Sequence, residues 1–326
     1  MTTPLRIWCN TVFNDEASHL LREGTAKHEL MIAESFASSI LRSSPSDAQF
    51  ARAEIAFGQP DPAAILKDAP DLRWVHLTTA GYTRYDLADF RAALQKRDIP
   101  LTTSSHVFNE PCAQHLAAMM LALARQLPQS LQGQLTDRAW PYHERRLLSR
   151  LLGGETALLY GYGAIAQRLT ELLAPYHMRV IGVRRTVRGD EPIEMIAESE
   201  ADRLLPEADH VINMLPENPS SIGYFGADRF LRMKRGARFY NIGRGATVDQ
   251  PALIAALTAG QLDAAYLDVT NPEPLPPDHP LWSAPNCFIC PHTGGGHREE
   301  SARLVRHFLG NLAAFESGEP LLDRVM

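Results

Sequence analysis

The chain has 326 residues, 45% of them hydrophobic and 21% charged, with a formal net charge of −6. That length suits two domains of ordinary globular composition, and the mild acidity excludes an electrostatic footprint for nucleic acid or an anionic membrane surface. No apolar run approaches a membrane span and Met1-Thr2-Thr3-Pro4-Leu5-Arg6 contains no apolar leader, so the cytosol is the expected compartment.

Strand and helix signals alternate along the chain, which predicts an α/β architecture. An opening strand at 5–9 precedes a helix around 17–27, and further strands follow at about 53–57 and 74–78. A long helix is expected to begin at Asn109-Glu110-Pro111, with Asn109 as N-cap and Glu110 at the positive dipole end, and to stop at Pro128. It is apolar almost all round (Cys112, Leu116, Met119, Met120, Leu123, Leu127), the pattern of a helix buried between domains or against a second subunit. A second run predicts strands near 156–160, 179–183, 210–215, 237–242, 264–269 and 287–290. Within it, Asp249 and Pro251 open a helix that Gly260 closes. Cys287 and Cys290 form a C-x-x-C, but residues three apart on a strand point to opposite faces. Buried free thiols are expected there, not a disulfide or a shared metal.

The apolar run Ala157-Leu158-Leu159-Tyr160 leads into Gly161-Tyr162-Gly163-Ala164-Ile165-Ala166, and an amphipathic helix continues through Leu169, Leu172 and Leu173. This strand–turn–helix context is what a dinucleotide fingerprint requires. Gly161 permits the tight turn, Gly163 lets backbone approach a pyrophosphate, and Ala166 keeps helix and strand close. The first turn of the helix, from Ala164 and Ile165, offers free N–H groups and a positive dipole end. After the next strand stand Arg184-Arg185-Thr186, where an acid would normally hold the ribose hydroxyls; two guanidinium groups there favour NADP, with NAD possible.

Three further strand ends carry polar groups: Asn241-Ile242-Gly243-Arg244-Gly245, Asp268-Val269-Thr270-Asn271-Pro272-Glu273-Pro274, and Pro291-His292-Thr293-Gly294. Ligands of open α/β sheets bind beyond the carboxyl ends of strands. An Arg suited to a carboxylate, a His suited to proton transfer and an acid to orient it are therefore expected to converge there. The other histidines, including His106, His115 and His297, read as structural.

With these motifs in order, the chain resembles the D-isomer-specific 2-hydroxyacid dehydrogenases, especially the glyoxylate/hydroxypyruvate reductase branch. The resemblance runs over nearly the whole chain. It implies a Rossmann-type, doubly wound parallel sheet in a dinucleotide-binding domain (103–293), and a discontinuous flavodoxin-like substrate-binding domain (1–102 and 294–326). It implies catalysis by Arg244, Glu273 and His292, with substrate carboxylate held by the Ala80-Gly81-Tyr82 loop that follows Thr79. Met214-Leu215-Pro216, Ile242-Gly243 and Asp268 would contact the nicotinamide half, with Gly294 beside them. A homodimer built on the cofactor domains is implied, with a small 2-keto or 2-hydroxy acid as the partner molecule.

Two departures bear on the substrate side-chain pocket: Gln114 stands where many members have Glu, and Val107-Phe108-Asn109-Glu110 replaces a commoner small-residue loop. The chain ends at Met326 without the extension of many phosphoglycerate dehydrogenases, which weakens that alternative. Formate dehydrogenases have Gln where Glu273 stands. A nucleotide-sensing interaction protein of the corepressor type shares this fold and is the rival from another class.

Overall fold

A computed structural model describes residues 3–36 and 47–326, so Met1-Thr2 of the N-terminal stretch lie outside the described residues. The chain divides into two compact units, the described residues up to Phe108 together with Gly296–Met326, and Asn109–Gly295.

The first unit is built on β1 (Arg6–Cys9), β2 (Glu29–Ile32), β3 (Ile55–Gly58), β4 (Trp74–Leu77) and β5 (Leu101–Thr102). All neighbours pair in parallel, in the order β2-β1-β3-β4-β5, the flavodoxin-like winding. Every residue of β3 and β4 is buried, as expected of central strands covered on both faces. On one face Trp8, Ala56 and Val75 pack with Ile65, Phe90 and Leu94 from the helices Pro62–Lys67 and Ala88–Lys96. On the other, Ile7, Ile55, Phe57 and Trp74 meet Leu21 of helix Asp15–Gly24 and Phe308 of helix Glu300–Ser317. The Phe308 ring stacks 4.1 Å from that of Phe57 and 5.3 Å from that of Trp74.

The second unit carries β6 (Thr156–Tyr160), β7 (Arg179–Arg184), β8 (Glu194–Ala197), β9 (His210–Asn213), β10 (Ala237–Asn241), β11 (Leu262–Leu267) and β12 (Cys287–Ile289). Their order is β12-β11-β10-β9-β6-β7-β8, again all parallel. The winding reverses at β6, so the crevice beyond β6 and β9 is the place where such sheets bind ligands.

The long helix differs from expectation at both ends. It spans Ser105–Ala124 with Pro111 inside it, and the division between the units falls within it. Asn109 is not its cap. Instead the Asp323 carboxylate, far away in sequence, accepts the His106 amide at 2.9 Å and supplies an anion to the first turn. Nor does Pro128 stop it: Gln126 takes a left-handed conformation after Ala124, and Pro128 opens the next helix, Leu127–Leu135. Asp249 does cap helix Gln250–Thr258, accepting the Ala252 amide at 3.0 Å. Cys287 and Cys290 are free thiols but half-buried, because β12 is an edge strand; burial pushes the Cys287 thiol up to about 12.

Candidate active site

The fingerprint corner follows from glycine geometry. Gly161 has φ +96°, and a Cβ there would sit 3.0 Å from the Met214 carbonyl oxygen. A Cβ on Gly163, the residue that opens helix Ala164–Leu173, would meet nothing within 4 Å. The space before this helix end is therefore clear, and the first-turn amides face it. Ala166 is fully buried under the helix. These are features of a pyrophosphate cradle, and the residues present fit a dinucleotide.

Arg184 ends β7, half-buried, and Arg185 beside it is exposed. The sequence places no acid at this strand end, but the fold brings one back: Glu191 lies 2.9 Å from the Arg184 guanidinium. The Arg188 amide above all, then the Gly189 amide and the Arg184 guanidinium, outweigh burial and hold the Glu191 carboxyl down at about 2. Arg185 donates to the Ser220 hydroxyl at 3.2 Å.

Beyond β9 and β10, a buried amide network sets the backbone. The Asn213 side chain donates to Asn241 Oδ1 at 3.0 Å and to the Thr247 hydroxyl at 2.6 Å. Asn241 accepts the Gly243 amide and donates to the Arg244 carbonyl, while Thr247 donates to the same carbonyl. Gly243 is required because its Cβ would lie 2.6 Å from the Leu215 carbonyl oxygen, so Met214-Leu215-Pro216 and Ile242-Gly243 form one wall. Sequence reasoning did not single out Asn213 or Thr247. The available signal was a polar residue closing the apolar strand His210–Asn213, whose every position is buried.

The third group clusters around Glu273. Its Oε1 accepts the Thr270 amide at 3.0 Å, and its Oε2 lies 2.8 Å from His292 Nδ1. A carboxylate only accepts, so Nδ1 donates and Nε2 remains for another partner. Burial raises the Glu273 carboxyl, but the His292 hydrogen bond and charge, the Thr270 amide and Arg244 together pull it below its ordinary value. Arg244 is thus close enough to act on Glu273 electrostatically. His292 adopts φ +54° and is held by its amide on the Asp268 carbonyl at 2.9 Å. Asp268 Oδ1 in turn accepts the amides of Thr293 and Gly294, each at 2.9 Å. The second unit brings Arg244, Glu273 and His292 together. Ala80, Gly81 and Tyr82 lie in the first unit, after β4. Of the other histidines, His106 pairs with Asp323 and His115 with the Tyr266 hydroxyl.

A dinucleotide cradle beside an Arg, an acid and an acid-oriented imidazole at adjoining strand ends defines a nicotinamide-dependent oxidoreductase. The sequence model for the NAD-binding domain of the D-isomer specific 2-hydroxyacid dehydrogenases matches residues 117–294. A glyoxylate reductase of Korarchaeum cryptofilum is 30% identical over 263 residues, covering 80% of this chain and 78% of that protein. Glyoxylate/hydroxypyruvate reductase B of Escherichia fergusonii is 32% identical over 278 residues, covering 82% and 83%. The solved structure of a probable 2-hydroxyacid dehydrogenase of Rhizobium etli, in complex with NADP, HEPES and L(+)-tartaric acid, superposes with a TM-score of 0.81. It is 25% identical, with 100% of this chain and 98% of that one covered. The chain belongs to the D-isomer specific 2-hydroxyacid dehydrogenase family, and its chemistry is hydride transfer between a nicotinamide cofactor and a small 2-keto or 2-hydroxy acid.

Proposed function

We propose that the protein reduces small 2-keto acids of the glyoxylate or hydroxypyruvate kind, with NADPH preferred over NADH. The observation that carries the direction of proton flow is the 2.8 Å contact between Glu273 and His292 Nδ1. It orients the ring with Nδ1 donating to Glu273 and leaves Nε2 for the substrate oxygen. His292 then donates from Nε2 to the carbonyl oxygen. Arg244 grips the substrate carboxylate and polarises the ketone, and the amides of Ala80, Gly81 and Tyr82 are further carboxylate donors. The nicotinamide, when bound, supplies the hydride. Negative charge grows on the carbonyl oxygen as the reaction proceeds, so a fixed guanidinium and an imidazolium stabilise the transition state more than the ground state.

Two readings supplement this. Arg184 and Arg185 favour a 2′-phosphate; Arg184 is held by Glu191 at 2.9 Å, while the more exposed Arg185 makes only a longer 3.8 Å ionic contact with Glu198. A homodimer is supported by exposed apolar side chains on 127–151, which include the expected Trp140-Pro141-Tyr142 stretch; the long helix expected beside it has its apolar residues largely buried within the chain. Leu135, Trp140 and Leu147 are 84%, 89% and 86% exposed, apolar surface of the kind subunit interfaces cover.

The test is steady-state turnover of glyoxylate, hydroxypyruvate and pyruvate with NADPH and with NADH. Turnover of one of the first two above pyruvate, and faster with NADPH, is expected. Absence of turnover with every keto acid would favour the nucleotide-sensing corepressor reading.

A further inference from the structure

The first unit contains a directed hydrogen-bond chain that the catalytic assignment does not use. Gln59 follows β3 and is 3% exposed. Its backbone is seated by Asn10, whose Oδ1 accepts the Gln59 amide at 2.7 Å. Residue 58 must be glycine for this: Gly58 has φ +136°, and a Cβ there would lie 1.9 Å from that same oxygen. The Gln59 side-chain oxygen receives Arg84 Nη2 at 2.6 Å, and its nitrogen faces the hydroxyls of Thr78 and Thr79, each at 3.2 Å.

The direction of every bond is forced. Arg84 can only donate, so the atom facing it is the amide oxygen and the amide nitrogen faces the hydroxyls. Thr79 therefore accepts from Gln59, and its own proton goes to the Gly81 carbonyl at 2.7 Å. The Thr79 carbonyl is occupied by the Ser104 amide at 2.9 Å. Carbonyls 79 and 81 share their peptide planes with the amides of Ala80 and Tyr82, so engaging both carbonyls fixes the orientation of those two amides. Among the described residues, the amides of Ala80, Gly81 and Tyr82 find no backbone acceptor.

We propose that Gln59 is a positioning residue: the relay Arg84→Gln59→Thr79→Gly81 locks the 79–82 turn with its amide donors turned out for the substrate carboxylate. This rests on the reading of Ala80–Tyr82 as the carboxylate-binding loop. The relay does not touch substrate. It removes from the binding step the reorganisation that a loose turn would otherwise need.

The experiment measures KM for the keto acid, KM for NADPH and kcat, together with a thermal melt, in the full-length enzyme. Thr79→Val removes the relaying hydroxyl, and Gln59→Leu removes its donor. Gln59→Glu keeps the volume and the Arg84 contact while withdrawing the donor, so the position is probed even where Gln59→Leu folds poorly. Each is expected to raise keto-acid KM about five- to tenfold, the scale of one hydrogen bond. NADPH KM and kcat should stay within about twofold. The Thr79→Val/Gln59→Leu double variant should be no worse than the weaker-binding single, because both cut one chain. Unchanged keto-acid KM in Thr79→Val and Gln59→Glu, or effects that multiply in the double variant, overturns the relay. Ala80→Pro removes a loop amide directly. If it raises keto-acid KM while the relay variants do not, the loop reading stands and the relay fails. If it leaves KM unchanged, the loop reading fails and the relay with it.

Discussion

Replacing Glu273 by Gln tests the central contact without changing its shape. The carboxylate lies 2.8 Å from His292 Nδ1, with side-chain exposures of 22% for Glu273 and 30% for His292, so the pair is only partly screened by solvent. Charge-assisted hydrogen bonds of this kind are worth about 1.5–3 kcal/mol. At about 1.4 kcal/mol per tenfold this converts to roughly ten- to a hundredfold in rate. The sign follows from linkage. The Glu273 carboxyl titrates below its ordinary value despite burial, so the pair is intact through the neutral range and is lost only as pH falls through that depressed value. In Glu273→Gln, kcat/KM for glyoxylate should fall roughly ten- to a hundredfold at neutral pH. The difference from the parent should shrink as pH falls through the depressed Glu273 value. His292→Ala should instead lower kcat about a hundredfold or more at every pH, the usual worth of a general acid. Near-parental kcat/KM in Glu273→Gln at neutral pH, or near-normal turnover in His292→Ala, refutes the assignment.

Arg244→Lys should lower kcat/KM by about a hundredfold, since an ammonium cannot make two parallel bonds to a carboxylate; near-parental kinetics would show that Arg244 binds no substrate. Arg184→Ala/Arg185→Ala should raise NADPH KM about tenfold or more and leave NADH KM nearly unchanged, and equal effects on both cofactors would remove the 2′-phosphate reading. Leu147→Glu/Trp140→Glu should convert a dimer to a monomer by light scattering, while a parent enzyme already monomeric at micromolar concentration contradicts the assembly. Asp323→Asn should destabilise by about 1–3 kcal/mol at neutral pH, because the charged acceptor of His106 and His307 is lost. Burial raises the Asp323 carboxyl, but the His307 and His106 contacts take it below its ordinary value. The difference from the parent should therefore persist at neutral pH and shrink as pH falls through that depressed value; a constant difference in thermal melts would contradict this.

The cofactor sheet was legible because its strands are continuous apolar runs bounded by glycine and polar ends: 156–160 and 210–215 read directly from the residues, the second running two residues past β9. β2, β5 and β8 escaped, each pairing with one neighbour at a sheet edge. β5 has only two residues, and β2 and β8 are only partly buried, so Glu29-Leu30-Met31-Ile32 and Glu194-Met195-Ile196-Ala197 lack a strong period. The start of the long helix was misplaced because its anion comes from Asp323, and local capping signals at Asn109 carry no information about a distant acid. Arg244, Glu273 and His292 stood out because charged residues at strand ends have few bland explanations when they occur together. Asn213, Thr247 and Glu191 did not, since each acts by folding back on a neighbouring loop whose path the sequence leaves open.

The discontinuity of the first unit has a consequence for the order in which this protein comes off the ribosome. The strands that carry Phe57 and Trp74 emerge early, yet the aromatic ring that covers them, Phe308, arrives only after the whole of Asn109–Gly295 has been made. The later-coded unit has its own uninterrupted core and is free to fold first. Until helix Glu300–Ser317 appears, helix Asp15–Gly24 alone covers that side of the early sheet, and the Phe57 and Trp74 rings lack the Phe308 ring that stacks on them. A nascent chain stalled between those points would expose its unfinished apolar surface at the N-terminal third, not at its cofactor-binding part.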